Sequence, residues 1–533
     1  MKRKNQIHAQ LVRSADIPST PKRRSFRTAL AEAIPVEGGR VIGTRSWGYG
    51  VRMYRGIPFA APPVGDLRWR PPQPVIPWEG ELKANHFGPS PMQQERPPLE
   101  ALHNDGTHPY NEDCLYLNVW TPARDVDEKL PVMVWIYGGR GVEGSGSEEL
   151  YDPNGLAKKG VVVVTFNYRV NVFGWMAHPE LTEESPNDSS GNYGALDQIA
   201  ALKWVQNNIA GFGGDSDRVT IFGESGGSRS VNWIMASPLA KGLFHGVIGE
   251  SHTVFGPMTG LAEAEAQGVR FAQSLGAGSL AQLRAIPAEE IEAAALKSPR
   301  LGATVVDGWF LPEDVYTIFS KGKQNDVPLI TGGNSDEFGP IAGAHPVAER
   351  PDTLDGYHEW AKATFGDRAE ECMKLYPVAT DAEAAQAYHD VTRDANMAGH
   401  YTWARLQNKT GVSPAYLYLF SLAPPAYPRE GSAPDRSQGA YHGAEIFYAF
   451  DNLRCVDRPW TGLDREVAEI MSSYWVNFAR TGDPNGPGLP PWPLYDPQDE
   501  QSLNIGEMVR AEDLNWAGLT FLADLEEETR RKK

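Results

Sequence analysis

The pentapeptide Gly223-Glu224-Ser225-Gly226-Gly227 is the strongest chemical signal in the chain. It is a G-x-S-x-G pattern that follows the apolar run 219–222 (VTIF) and precedes a helix-compatible run, 228–235. A serine at such a strand-to-helix turn has its oxygen exposed, as a nucleophile attacking an acyl carbon requires. The bare pentapeptide also arises by chance in glycine-rich loops, so its setting carries the reading. Attack by the alkoxide creates an oxyanion, which needs backbone donors. Gly226 and the loop Gly138-Gly139-Arg140-Gly141 suit that role, although the same loop reads equally as a tight turn. An acid and a base should follow in chain order at strand ends. Glu337 lies 112 residues beyond Ser225, after the run 328–331 (PLIT), and His442 lies 105 residues further on. Spacing alone does not select His442 from twelve histidines.

Bringing these groups together requires strands that end side by side. Residues 115–120, 131–137 (PVMVWIY), 161–167 (VVVVTFN), 219–222, 328–331 and 415–420 (AYLYLF) read as such strands. Near-continuous apolar, β-branched runs mark strands buried on both faces, as in a parallel sheet. Residues 194–209 carry a broad apolar helical face, so strand and helix alternate through 131–240 as βαβ units. Residues 261–275, 279–285 and 288–296 read as surface helices, the last two parted by Pro287. Near the start, 40–44 and 51–54 read as a hairpin around Gly48-Tyr49-Gly50. No internal repeat occurs, and one elaborated α/β domain fits better than several in a row.

Composition narrows the function classes. A chain of 533 residues that is 41% hydrophobic can bury a large core. No apolar stretch approaches the ~20 residues of a membrane helix, so an integral membrane segment is not expected. The first thirty residues hold eight basic side chains against Asp16 alone, while the remainder carries 42 basic and 67 acidic residues. A body with that balance is a poor nucleic-acid ligand. Arg23-Arg24-Ser25-Phe26 resembles a twin-arginine export pattern, but residues 28–36 are short and include Glu32. Residues 1–34 are therefore read as a flexible basic tail, with a cytoplasmic location expected and export by a degenerate twin-arginine-like N-terminus as the alternative. Cys114, Cys372 and Cys455 form no CxxC or His/Cys cluster, so free thiols are expected and no metal site.

From about Val36 to about Phe521 the sequence resembles the type-B carboxylesterases, the α/β-hydrolase family that includes the cholinesterases. The resemblance rests on Tyr54-Arg55-Gly56-Ile57-Pro58-Phe59, Glu112-Asp113-Cys114-Leu115, Asn167-Tyr168-Arg169 and Phe222 through Gly227. It continues in Asn334-Ser335-Asp336-Glu337, His442-Gly443-Ala444-Glu445 and a bacterial-type segment, Tyr474-Trp475-Val476-Asn477-Phe478. It implies an α/β-hydrolase fold, with a mostly parallel central sheet flanked by helices and long helical insertions. The expected catalytic domain is 35–525, followed by a charged tail, 526–533. Ser225 is then implied as nucleophile, His442 as general base and acid, and Glu337 as the carboxylate orienting His442. Gly138, Gly139, Arg140 and Gly226 match the oxyanion region, Ser251 a serine supporting the acid, and Glu224 an acidic neighbour of the site. Arg68 with Glu112 and Arg169 with Asp197 match structural ion pairs. The implied activity is hydrolysis of small-molecule carboxylic esters without a cofactor. A catalytically silent binding protein and an amide or carbamate hydrolase on the same triad are the alternatives.

Four positions depart from the family pattern. Arg140 stands where a small residue is usual, and it either meets a substrate carboxylate or pairs with Glu143. Gly226 replaces an alanine, and Phe338 follows Glu337 where glycine is usual. Cys114 occupies a family disulfide position whose partner position here is Met92. Substrate selection is expected to lie in insertions around 90–110, 255–310 and 340–440, and the sequence does not specify an oligomeric state.

Overall fold

The computed structural model describes residues 32–46, 48–94, 109–297, 304–337, 350–426, 436 and 439–531. The twin-arginine-like segment, Phe338 and parts of the insertions 90–110, 255–310 and 340–440 lie outside them. The β-branched runs form the centre of an eleven-stranded sheet. We number its strands β1 Thr44–Arg45, β2 Arg52–Pro58, β3 Tyr116–Thr121, β4 Leu130–Ile136, β5 Val162–Phe166 and β6 Gly214–Glu224. The rest are β7 Gly246–Glu250, β8 Leu329–Asn334, β9 Ala415–Phe420, β10 Gln501–Ile505 and β11 Val509–Asp513. Their spatial order is β11-β10-β9-β8-β7-β6-β4-β5-β3-β2-β1. From β5 to β10 every neighbouring pair is parallel. The strands at either margin are antiparallel.

The N-terminal hairpin differs from the sequence reading in its first strand. Residues Gly39–Ile42 join a separate three-stranded sheet, and the hairpin partner of β2 is Thr44–Arg45. Gly43 is the break point. A Cβ there would lie 2.5 Å from the Met53 carbonyl, so the chain crosses between sheets at a residue without a side chain.

The helices that matter for the site are α1 Tyr193–Asn208, α2 Gly226–Ala236 and α3 Asp381–Thr410. Helix α1 is buried nearly all round, with Trp204 and Leu202 among its core residues. It is tied to α2 by Gln198, which donates to Ser230 Oγ at 3.0 Å and accepts from Trp233 Nε1 at 3.2 Å. Helix α3 begins in a capping box of Thr380 and Glu383 and lies across β8 and β9. It approaches β7 so closely that a Cβ on Gly249 would stand 2.5 Å from the Trp403 ring.

Both implied ion pairs form. Arg68 grips Glu112 at 2.6 and 2.5 Å, and Arg169 grips Asp197 through two contacts of 2.8 Å. The second pair is fully enclosed, and the Arg169 backbone N–H also donates to Asp197 at 3.0 Å. It pins the loop after β5 to the N-terminal half of α1. All three cysteines are free, with Cys114 and Met92 both in the main core. Among the described residues no helix is long and apolar enough to cross a membrane.

Candidate active site

Ser225 sits between the end of β6 and the start of α2, with φ 55° and ψ −116°. That conformation is unfavourable for a residue with a side chain and persists only where its surroundings impose it. Two glycines allow it. A Cβ on Gly227 would lie 1.8 Å from the Ile136 carbonyl, and one on Gly223 would lie 2.5 Å from the same oxygen. The turn is clamped by the Ser225 N–H, which donates to Glu250 O at 2.8 Å.

The glycine-rich loop after β4 folds directly over this turn. A Cβ on Gly138 would meet Glu224 Oε2 at 2.9 Å and Ser225 Cβ at 3.2 Å. A Cβ on Gly226 would meet the Arg140 nitrogen at 2.9 Å. Glycine at 226, the departure from the family alanine, therefore lets the Arg140 amide approach the nucleophile's turn. Among the described residues the N–H groups of Gly139, Arg140 and Gly226 make no hydrogen bond. Free donors gathered beside a candidate nucleophile are what an oxyanion would require. The loop is held from behind by Tyr137 and Tyr168, whose rings stack at 4.3 Å and whose hydroxyls each donate to the other's carbonyl. Trp175 Nε1 also donates to Gly141 O at 2.8 Å.

On the other side of Ser225, His442 Nε2 lies 2.8 Å from Ser225 Oγ, and His442 Nδ1 is hydrogen-bonded to Glu337 Oε2. Glu337 Oε1 accepts the Asn334 N–H at 2.9 Å, which orients the carboxylate. The loops bearing acid and base are joined at Asp336. Its N–H donates to Ala440 O and its carboxylate accepts the Ala440 N–H, both at 3.0 Å. His389 of α3 braces Asp336 from outside at 2.8 Å.

A second ring of carboxylates surrounds the imidazole. Glu224 Oε1 is 3.3 Å from His442 Nε2, and Glu445 is bonded to Ser251 Oγ at 2.9 Å and to Asn334 Nδ2. Ser251 thus reaches the acid through Glu445 and Asn334; among the described residues it does not touch Glu337. Burial pushes the His442 pKa down, but Glu224, Glu337 and the hydrogen bond to Glu337 outweigh it and lift it to about 10. Burial raises Glu224 to about 8 against the pull of His442. Burial, then the charge of Glu337, raises Glu445 to about 7. The groups titrate together, and the net effect favours the imidazolium.

Arg140 has φ 58° and an exposed side chain, and no ion pair joins it to Glu143 among the described residues. Every residue singled out from the sequence for the site is therefore gathered around Ser225. Glu445, Asp336 and Arg229 also border it without having been assigned a role. The first two lie inside quoted motifs, so their sequence neighbours were the available signal. Among the described residues no group of three His, Cys, Asp or Glu is placed to hold a metal ion.

The chain resembles known proteins along nearly its whole length. Residues 31–519 match the carboxylesterase family. The chain is 38% identical over 466 residues to the fumonisin B1 esterase of Sphingopyxis macrogoltabida, covering 84% of this chain and 82% of that one. It is 33% identical over 505 residues to the para-nitrobenzyl esterase of Bacillus subtilis, covering 90% and 96%. Among solved structures, the carboxylesterase EST55 of Geobacillus stearothermophilus matches with a TM-score of 0.77 at 32% identity, over 92% of this chain and 100% of that one.

Proposed function

The chain belongs to the carboxylesterase family of ester hydrolases, and from that premise we propose that it cleaves carboxylic esters through an acyl-enzyme on Ser225. The observation that carries the reading is the unbroken line from Ser225 Oγ through His442 to Glu337. His442 Nε2 takes the Ser225 proton as Oγ attacks the ester carbonyl. The tetrahedral oxyanion is held by the amides of Gly139, Arg140 and Gly226. The imidazolium, stabilised by Glu337, gives its proton to the departing alkoxide, and the alcohol leaves. Water then attacks the acyl carbon with His442 again as base, and the acid is released with Ser225 restored.

The same reading assigns a preference for esters that carry a carboxylate. Arg140 supports it, because the guanidinium is exposed beside the oxyanion loop without an ion-pair partner among the described residues. Its planar fork matches a carboxylate in two hydrogen bonds. An organophosphonate should label Ser225 stoichiometrically, and peptide mapping locates the adduct. A folded chain that stays unlabelled contradicts the serine mechanism. Arg140→Ala should lose more on carboxylate-bearing esters than on neutral ones, and equal loss on both rejects the preference.

A further inference from the structure

One turn along α2 from the nucleophile stands a second arginine. The Arg229 N–H donates to Ser225 O at 3.0 Å, so its Cα is about 6 Å further along the helix. Its guanidinium lies over the Trp233 ring, 5.8 Å from the centroid. The residue is only partly exposed, and its Nε is shut off from solvent without a hydrogen-bond partner. Among the described residues the side chain makes no hydrogen bond and no ion pair. Its ring partner ties it to the oxyanion loop: Trp233 meets the Trp175 ring edge-on at 5.6 Å, and Trp175 Nε1 donates to Gly141 O at 2.8 Å. The guanidinium therefore lies over the indole whose neighbour holds that loop, one helical turn from Ser225.

An arginine withdrawn from water without an acidic partner is costly, because cationic groups lose hydration that nothing replaces. The carboxylates nearest the site are directed elsewhere: Glu224 and Glu337 to His442, Glu445 to Ser251 and Asn334, and Glu250 to Trp475. An anion arriving with the substrate would complete the missing pair. The indole beside it limits the motion of the fork, which reduces the freedom lost when a carboxylate docks.

We propose that Arg229 is a specificity-determining residue that pairs with a carboxylate of the substrate while its ester carbonyl is at Ser225. The proposal rests on the serine-esterase reading and moves the main anion contact from the oxyanion loop to the first turn of α2. Two sources share this chemistry: a carboxylate on the acyl chain, as in a dicarboxylic hemiester, and a carboxylate on the alcohol.

Three substrates separate these sources: 4-nitrophenyl butyrate, 4-nitrophenyl hydrogen glutarate and 4-butyryloxybenzoate. For each, kcat/KM is measured on the full chain, on Arg229→Met, which keeps most of the stem, and on Arg229→Lys. Relative to the neutral butyrate, Arg229→Met should lose about 30-fold or more on one of the anionic esters, and Arg229→Lys should recover part of it. Loss on the glutarate places the carboxylate on the acyl side, and loss on the benzoate places it on the alcohol side. Glutarate as an inhibitor gives a second readout: its Ki should rise in both variants if the acyl side is read. Ratios that match wild type in a variant with unchanged melting temperature overturn the proposal. So does a loss that follows Arg140→Ala alone. Full turnover by Ser225→Ala would instead reject the underlying serine mechanism, whatever the ratios show.

Discussion

Glu224 Oε1 and Ser225 Oγ meet the same nitrogen of His442, at 3.3 and 2.8 Å. Adjacent residues at the strand end thus present the proposed general base with the proposed nucleophile and with a carboxyl group that is negatively charged above about pH 8. The charge favours the imidazolium that forms during attack and also raises the pH needed to free the base. Glu224→Gln removes that charge, so the imidazole pKa falls. The acid limb of the kcat/KM profile should move to lower pH by about 1–3 units. A limb that stays in place or moves to higher pH contradicts the assignment.

Gly226 is a tight point between the turn at Ser225 and the loop after β4. In Gly226→Ala the new methyl would lie 2.9 Å from the Arg140 nitrogen, and the loop must retreat. Misplacing one oxyanion donor typically costs 10²–10³ in kcat, so partial displacement should cost about 10-fold or more. The effect should appear in kcat, with KM changed much less. A variant with wild-type kcat argues that the Arg140 amide does not hold the oxyanion.

The brace between His389 and Asp336 predicts a pH-dependent stability. The Asp336 hydrogen bond, followed by that of Asp390, lifts His389 to about 9 against burial and the charge of Arg393. Because the folded pKa is raised, the contribution is complete below about pH 6.5 and is lost as pH rises through about 9. His389→Gln should cost about 1–3 kcal/mol at pH 6, a range discounted for partial exposure, and little above pH 9.5. Urea unfolding of both proteins at the two pH values checks it. A deficit that does not change with pH rejects the pair as its cause.

The enclosed pair of Arg169 and Asp197 should behave differently. Asp197→Asn keeps the shape but leaves the guanidinium without its counter-charge in the core. About 3–5 kcal/mol of stability should be lost, visible as a lower melting temperature before any effect on KM. Wild-type stability in this variant contradicts the structural role.

The parts legible from sequence are those whose physics is local. The runs VVVVTF and PVMVWI can scarcely be anything but buried strands, and both are central in the sheet. The strained turn at Ser225 was legible because it demands glycines at 223 and 227. His442 was not legible from spacing and entered through the family motif. Helix α3 was hidden because its buried side mixes Val391, Met397, Trp403 and Leu406 with polar Asp394, His400, Thr402 and Gln407, which blurs the apolar stripe. Strand β7 (GVIGE) is short and bounded by Gly246 and a buried Glu250, so its pattern is weak. Arg229 gave no signal at all: an arginine in the first turns of a helix reads as a solvated side chain. Only its position over Trp233, with an Nε shut off from solvent and without a partner, sets it apart.

The central claim is that ester cleavage passes through a covalent acyl group on Ser225. Rapid quenching of the reaction with 4-nitrophenyl butyrate, followed by peptide mass spectrometry, tests it most directly. The account predicts a burst of nitrophenol matched by a butyryl adduct on the peptide containing Ser225, both absent in Ser225→Ala. Turnover without an adduct, or an adduct on another residue, would contradict it.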